Sequence, residues 1–300
     1  MKKHQPPKRL RLFLKEVLPS VGLFSLPENR YASTTLKEGK IARRPLVVGN
    51  WKMYPTLSDS LVLASSLKAK LETLKGVEVV LLPPIAWLAP IIEGWKHRSE
   101  HIQLGVQNIW AEDQGAYTGE VSAYMVKDLA KYALIGHSER RRNQHEDDDI
   151  VREKLLACLR WRLTPILCVG ETKRVLDASG RVDAYQWQRI TAQLMEALHG
   201  IKPDDLHRII FAYEPVWAIG NGRTATPKYA GEVIRRLKER LSEKYAKHVV
   251  DNVRFLYGGS VEPHNTHELL AHPDIDGLLV GTNSVKAKEF LKICEIAARS

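Results

Sequence analysis

Glu214 stands at the end of an apolar run, in Phe211-Ala212-Tyr213-Glu214-Pro215-Val216-Trp217-Ala218-Ile219-Gly220-Asn221-Gly222. The preceding stretch 208–213 reads as a buried strand, so the carboxylate is delivered where the strand stops. Pro215 stiffens the exit, and Trp217 and Ile219 give the following loop apolar weight. Gly220 and Gly222 let backbone N–H groups turn toward a ligand. A carboxylate held beside a loop able to close over it suits proton abstraction in a water-poor site. The plainer alternative is a structural Glu on a β–α loop.

Other residue types extend the same chemistry. In Leu134-Ile135-Gly136-His137-Ser138-Glu139-Arg140-Arg141, a His follows an apolar run and opens a helical turn. A helix N-terminus disfavours the imidazolium, so His137 is expected as a neutral hydrogen-bond donor to a carbonyl. Val48-Gly49-Asn50-Trp51-Lys52-Met53 places an amide and an ammonium past another strand. Lys52 there can hold an anionic substrate and stabilise oxyanion charge, with Glu139 pairing with Lys52 or Arg140. Tyr257-Gly258-Gly259-Ser260 and Val280-Gly281-Thr282-Asn283 supply small residues suited to phosphate binding through backbone N–H groups. Together these have the base-plus-electrophile arrangement for moving a proton α to a carbonyl in a phosphorylated substrate. Metal chemistry is not indicated: His145-Glu146-Asp147-Asp148-Asp149 reads as a helix N-terminus, and neither HExxH nor GxSxG occurs.

These residues need a scaffold. From residue 45 the chain alternates short β-branched runs with helical patterns. Strands are expected at 46–50, 77–82, 102–107, 132–135, 164–169, 208–213, 253–257 and 277–280. Helical periodicity follows, as at 57–74, 148–161, 185–198, 227–245 and 287–298. Such an alternation without an internal linker points to an α/β chain folded as one closed (β/α)8 barrel of residues 45–300. An open doubly wound sheet is the runner-up, but no GxGxxG follows the first strand. In a closed barrel Asn50, Lys52, His137, Glu214, Ser260, Gly281 and Thr282 all fall at C-terminal strand ends, the rim where barrel chemistry sits.

Composition agrees with a globular small-molecule enzyme. Of 300 residues 44% are hydrophobic and 27% charged, enough apolar material for a full core, and no run suits a membrane span. Cys158, Cys168 and Cys294 show no CxxC spacing and fit buried thiols in a reducing, cytoplasmic setting. The net charge is +10, yet residues 1–44 carry +8 of it, leaving +2 for the other 256 residues. The basicity therefore belongs to the leader, and no nucleic-acid or membrane partner is expected for the barrel. The leader, with a short amphipathic stretch at 9–18, suits a targeting peptide, a contact with anionic lipid or RNA, or a flexible extension outside the fold.

The chain over residues 46–298 resembles the triosephosphate isomerase family. The resemblance rests on Gly49-Asn50-Trp51-Lys52-Met53, Thr118-Gly119-Glu120-Val121-Ser122, Ile135-Gly136-His137-Ser138-Glu139-Arg140-Arg141, Cys168-Val169-Gly170-Glu171, Ala212-Tyr213-Glu214-Pro215-Val216-Trp217-Ala218-Ile219-Gly220 and Tyr257-Gly258-Gly259-Ser260-Val261. It implies a single TIM barrel behind a basic N-terminal extension. The implied reaction interconverts dihydroxyacetone phosphate and D-glyceraldehyde 3-phosphate without a cofactor or metal, in glycolysis and gluconeogenesis. By the same resemblance Glu214 is the base, neutral His137 the electrophile, and Lys52 and Asn50 hold substrate with Glu139 in support. Phosphate falls to Gly220, Ser260, Gly281 and Thr282, and the loop from Pro215 to Ala225 closes as a lid. A homodimer is implied, its loop from Gly115 to Glu120 inserting beside the neighbour's site and bringing Thr118 to the partner's Asn50 and the partner's His137.

The chain departs from the family at several points. Thr282-Asn283 stands where a second Gly is usual after strand eight, and a Thr tolerates fewer backbone angles. Gln144-His145-Glu146 replaces an aromatic-Gly-Glu run, and Asn221 and Arg223 replace Thr and Lys in the lid. Thr282 and Asn283 leave a four-carbon ketose phosphate as an alternative substrate. A barrel kept as a binding module for RNA or membrane is a third reading, against which Lys52, His137 and Glu214 all stand intact.

Overall fold

All eight expected strands form, because each is a short apolar run that can be covered on both faces. The computed structural model describes residues 43–95, 99, 101–177, 180, 182–219 and 224–300, and the backbone of 36–37 and 40–41. Its barrel strands are β1 (Leu46–Asn50), β2 (Glu78–Leu82), β3 (Ile102–Val106), β4 (Tyr132–Ile135), β5 (Thr164–Val169), β6 (Ile210–Tyr213), β7 (Arg254–Tyr257) and β8 (Gly277–Val280). Every neighbouring pair is parallel, and Gly277 of β8 aligns with Leu46 of β1 to close the ring.

Side-chain alternation along the strands makes two apolar layers from one sequence. Leu46, Val48, Val80, Leu134, Ile166 and Leu256 belong to the group that fills the barrel. Their sequence neighbours Val47, Val79, Leu81, Phe211, Phe255 and Leu278 belong to the larger cluster shared with the helices. Phe211 and Phe255 are cross-strand partners whose rings stack at 4.9 Å and 15°. Truncating either to Ala removes a fully buried ring and costs about 3–5 kcal/mol.

Parallel strands need crossovers, and helices supply them. They are α1 (Leu57–Leu71), α2 (Ile85–Gly94), α3 (Ala123–Val126), α4 (Ser138–Asn143), α5 (Asp148–Arg160), α6 (Ala184–Ala197), α7 (Pro203–Leu206), α8 (Pro227–Ser242), α9 (Lys247–Val250), α10 (Pro263–Leu270) and α11 (Ala287–Ala297). Several start on side-chain caps. Asp147 accepts from Ile150 N at 2.9 Å ahead of α5, and Thr226 accepts from Tyr229 N at 3.2 Å ahead of α8, with Pro227 in the first turn. Helices α1 and α8 end three residues before the apolar pattern does. Beyond their ends Leu74 and Lys244 make i−3 turns instead, to Leu71 O at 3.0 Å and Leu241 O at 3.0 Å.

The N-terminal rim of the barrel is an ion-pair face. Arg254 holds Glu78 with two bonds of 3.0 and 2.8 Å, joining β7 to β2 across the ring. Arg43, within the expected leader, donates to Asn252 Oδ1 at 2.9 Å and Val253 O at 3.3 Å. Upstream, Leu36–Lys37 and Lys40–Ile41 pair antiparallel. The amphipathic stretch 9–18 lies outside the described residues. Among the described residues no helix is long and apolar enough to cross a membrane.

Candidate active site

The C-terminal rim gathers the residues singled out from the sequence, Gly220 excepted, which lies with 221–223 outside the described residues. At the end of β1, Lys52 has φ 51°, a left-handed backbone that costs a non-glycine residue roughly 1–3 kcal/mol. Two side chains hold it there. Asn50 Oδ1 accepts from Lys52 N at 3.1 Å, and Gln107 Nε2 donates to Lys52 O and to Leu82 O, both at 2.9 Å. The left-handed turn sends the ammonium to Glu139 Oε1 at 2.6 Å, the pairing the sequence suggested. A Cβ on Gly281 would lie 3.3 Å from Lys52 Cε, so glycine gives the lysine its passage.

His137 ends the β4 exit and caps α4. Its Nδ1 accepts from Glu139 N at 3.2 Å. A nitrogen that accepts carries no proton, so the ring bears its proton on Nε2, the atom turned toward Glu214. Glu214 follows β6, is 2% exposed, and accepts from Ser138 N at 2.9 Å through Oε2. His137 Nε2 comes within 3.0 Å of Glu214 Oε1, so the imidazole and the carboxylate face each other directly.

Burial works against a charge on both groups, and their proximity works for it. For Glu214 burial raises the pKa, but His137 and the Ser138 bonds outweigh it and the net direction is down. For His137 burial lowers the pKa, but Glu214 and then Glu139 raise it, against Lys52, and the net direction is up. The sequence suggested a ring of lowered proton affinity. The upward direction belongs to the arrangement in which Glu214 rests against the ring. With the carboxylate turned away, burial, Lys52 and the Glu139 N–H donor favour the neutral imidazole, against the Glu139 carboxylate alone.

Two features of this site escaped sequence reasoning. Gly170 crosses under Glu214, where a Cβ would stand 1.8 Å from Glu214 O. Next to it, buried Glu171 collects Trp217 Nε1 at 2.7 Å, Tyr213 OH at 2.9 Å and Tyr229 OH at 3.4 Å on one oxygen. Burial pushes its pKa up to about 7. Arg174 lies 5.1 Å from the Trp217 ring and 4.7 Å from that of Tyr229. Glu171 thereby anchors the 3-10 turn Val216–Ala218, the first turn of the loop behind Glu214. The only signal in sequence was its place in the run Cys168-Val169-Gly170-Glu171.

The acidic run 145–149 divides its labour. Glu146 pairs with Arg140 Nε and with the fully buried Lys154 Nζ, both at 2.5 Å. Asp147 caps α5, Asp148 pairs with Arg141 at 2.5 Å, and Asp149 with Arg152 at 2.7 Å. Glu146 is thus a buried counter-ion rather than part of a helix start.

Facing these groups are the loops after β7 and β8. Thr282 opens the 3-10 turn Thr282–Val285 and is exposed. Its right-handed turn is open to any L-residue, so threonine brings no backbone conflict there. Residues 115–120 are all exposed, and the Tyr117 ring leans on Trp110 at 5.6 Å. The three cysteines are buried and free.

The chain is similar to known proteins over most of its length. The sequence pattern of the family described as Triosephosphate isomerase matches residues 45–297. A protein of that description from Thermoanaerobacter sp. (strain X514) is 43% identical over 255 residues, covering 84% of this chain and 98% of its own. One from Chloroflexus aurantiacus is 44% identical over 252 residues, with the same coverage. Another from Saccharopolyspora erythraea is 41% identical over 264 residues, covering 86% and 98%.

Proposed function

We propose the residue roles that follow from one premise: the chain belongs to the triosephosphate isomerase family. It is an isomerase that interconverts dihydroxyacetone phosphate and D-glyceraldehyde 3-phosphate in glycolysis. Base, neutral imidazole and closing loop are the family's established parts, and the residues here are assigned to them by position and contact. The observation that carries the assignment is the buried Glu214 carboxylate at the end of β6, 3.0 Å from His137 Nε2.

In this reading Glu214 releases the Ser138 N–H and takes a proton from the substrate carbon next to the carbonyl. The C–H electrons form the C=C bond of an enediolate, and the carbonyl π electrons move onto oxygen. Nε2–H of His137 and the Lys52 ammonium stabilise that oxygen. A proton passes between the two enediolate oxygens, and Glu214 returns its proton to the neighbouring carbon, so no net proton is consumed. Asn50 and Lys52 hold substrate, Glu139 keeps the lysine in place, and Gly220, Ser260, Gly281 and Thr282 bind phosphate through N–H groups. Glu214→Asp withdraws the carboxylate by one methylene, about 1 Å or more, and should lower kcat at least about 100-fold with little change in KM. Comparable kcat in the two enzymes would remove Glu214 as the base. Parallel assays with glyceraldehyde 3-phosphate and a tetrulose phosphate test the substrate, the triose phosphate being favoured.

A homodimer completes the proposal. Met53 is 96% exposed, and Tyr54, Ile85 and Tyr117 are exposed too, large apolar side chains left open to solvent together with the exposed 115–120 loop. A second copy would cover them and bring Thr118 to the neighbouring site. Sedimentation of the purified chain near the 34.0 kDa monomer mass would refute it. The barrel and its soluble substrate suit a cytoplasmic enzyme, with residues 1–44 an extension outside the catalytic domain 45–300.

A further inference from the structure

The residue after Thr282 has a use that the reaction alone does not require. Asn283 Nδ2 donates to Val261 O at 2.7 Å, which ties the β8 loop to the β7 loop. The next residue, Ser284, is fully buried and donates from Oγ to Asn50 O at 2.9 Å, which ties the β8 loop to that of β1. From there Asn50 Oδ1 holds the strained Lys52 N–H. On the other flank Asn265 donates to Ser260 O at 3.1 Å and accepts from Glu262 N at 2.9 Å. Consecutive carbonyls of Ser260 and Val261 are thus fixed by side chains from two different elements.

Because each peptide is planar, holding the Ser260 and Val261 carbonyls holds the N–H groups of Val261 and Glu262, the second of which donates to Asn265, so the bonds fix the loop immediately after the Ser260 N–H. A loop pinned at two successive peptides directly after Ser260 cannot shift as a whole against the rim. The brace therefore converts three separate loops into one unit that carries the β7 and β8 donors and Lys52 together.

We propose that Asn283 is a positioning residue for the phosphate end of the substrate, through its bond to Val261. It touches neither the reacting carbons nor Glu214 and His137. It sets the spacing between the β7 and β8 phosphate loops and the lysine. This inference rests on reading that rim as the phosphate site.

The test compares the parent with Asn283→Ala and Asn283→Asp, the second keeping the volume but placing an acceptor against the Val261 carbonyl. Turnover is measured with glyceraldehyde 3-phosphate and with glyceraldehyde, which lacks the phosphate. Inorganic phosphate binding is followed by calorimetry. Loss of one well-placed bond should lower kcat/KM for the phosphorylated substrate and weaken phosphate binding by about tenfold. Turnover of glyceraldehyde should stay at the parent level, which a general structural defect would not allow. Equal losses with both substrates, or no loss with either variant, would overturn the brace. A parent that fails to isomerise the triose phosphate would instead overturn the functional reading, and phosphate binding would still decide the brace. If Asn283→Ala fails to fold, Asn283→Asp carries the same comparison.

Discussion

Replacing Glu171 by Gln should make the protein relatively more stable as pH rises, although it removes a charge from a site with three hydrogen-bond donors. The carboxyl is 2% exposed, and burial raises its pKa from 4.5 to about 7. A raised folded-state pKa contributes stability below the unfolded value and loses it as pH climbs through the folded one. With those two values the parent forfeits about 1.4 kcal/mol by pH 5.5 and about 3.4 kcal/mol by pH 8.5, relative to strong acid. Gln keeps an acceptor oxygen for Trp217, Tyr213 and Tyr229 and cannot ionise. Its amide N–H groups replace Oε2, which has no partner among the described residues, and add a penalty that does not vary with pH. The difference in unfolding free energy, Gln variant minus parent, should therefore rise by about 2 kcal/mol between pH 5.5 and pH 8.5. Urea unfolding of both proteins at one protein concentration measures it. A difference that is flat with pH, or that falls, would show that Glu171 is ionised in the folded protein and that its three donors outweigh burial.

Other perturbations address separate links. Glu146→Gln leaves Lys154 and Arg140 without their shared anion and should cost about 3–5 kcal/mol in urea unfolding, with Lys154→Met recovering part of it. A cost within about 1 kcal/mol would mean Asn108, 2.9 Å from Lys154 Nζ, suffices. Arg43→Ala should lower stability by about 1 kcal/mol while turnover is unchanged, and a chain beginning at Arg43 should keep full turnover. Loss of activity in either would make the leader part of the catalytic unit. Glu214→Gln removes the carboxylate that raises the His137 pKa, so the ring's titration, followed by nitrogen NMR, should move to lower pH. A titration that stays or moves upward would discount the Glu214 contact as its cause.

Strands were easy to read because a strand buried on both faces must be apolar nearly throughout, as Leu46-Val47-Val48 and Ile210-Phe211-Ala212 are. The apolar pattern runs past the helix ends, since Leu74 and Tyr245 still pack against the core beyond Leu71 and Ser242, where the helices stop. Helix α2 is expected only from the alternation, without bounds, because its sequence is apolar almost all round and carries Pro90 inside. Caps were legible at Thr226-Pro227, where the partner lies three residues on. The acidic run at 145–149 reads whole as a helix start, yet only Asp147 and the first-turn acids serve that end.

The sequence by itself determined the alternation that makes a barrel and the rim on which Glu214, His137, Lys52 and the phosphate loops must fall. Those follow from local rules, since strand ends and helix starts are set by neighbours in the chain. Only the tertiary structure decided how the rim residues are held. Gln107 reaches Lys52 across 55 residues, Glu171 reaches Trp217 across 46, and Ser284 reaches Asn50 across 234. A hydrogen bond is made by distance and alignment in space, and neither is encoded by spacing along the chain once the ring has closed. The base was legible because a strand delivers it; its partners became visible only when eight strands brought their ends together.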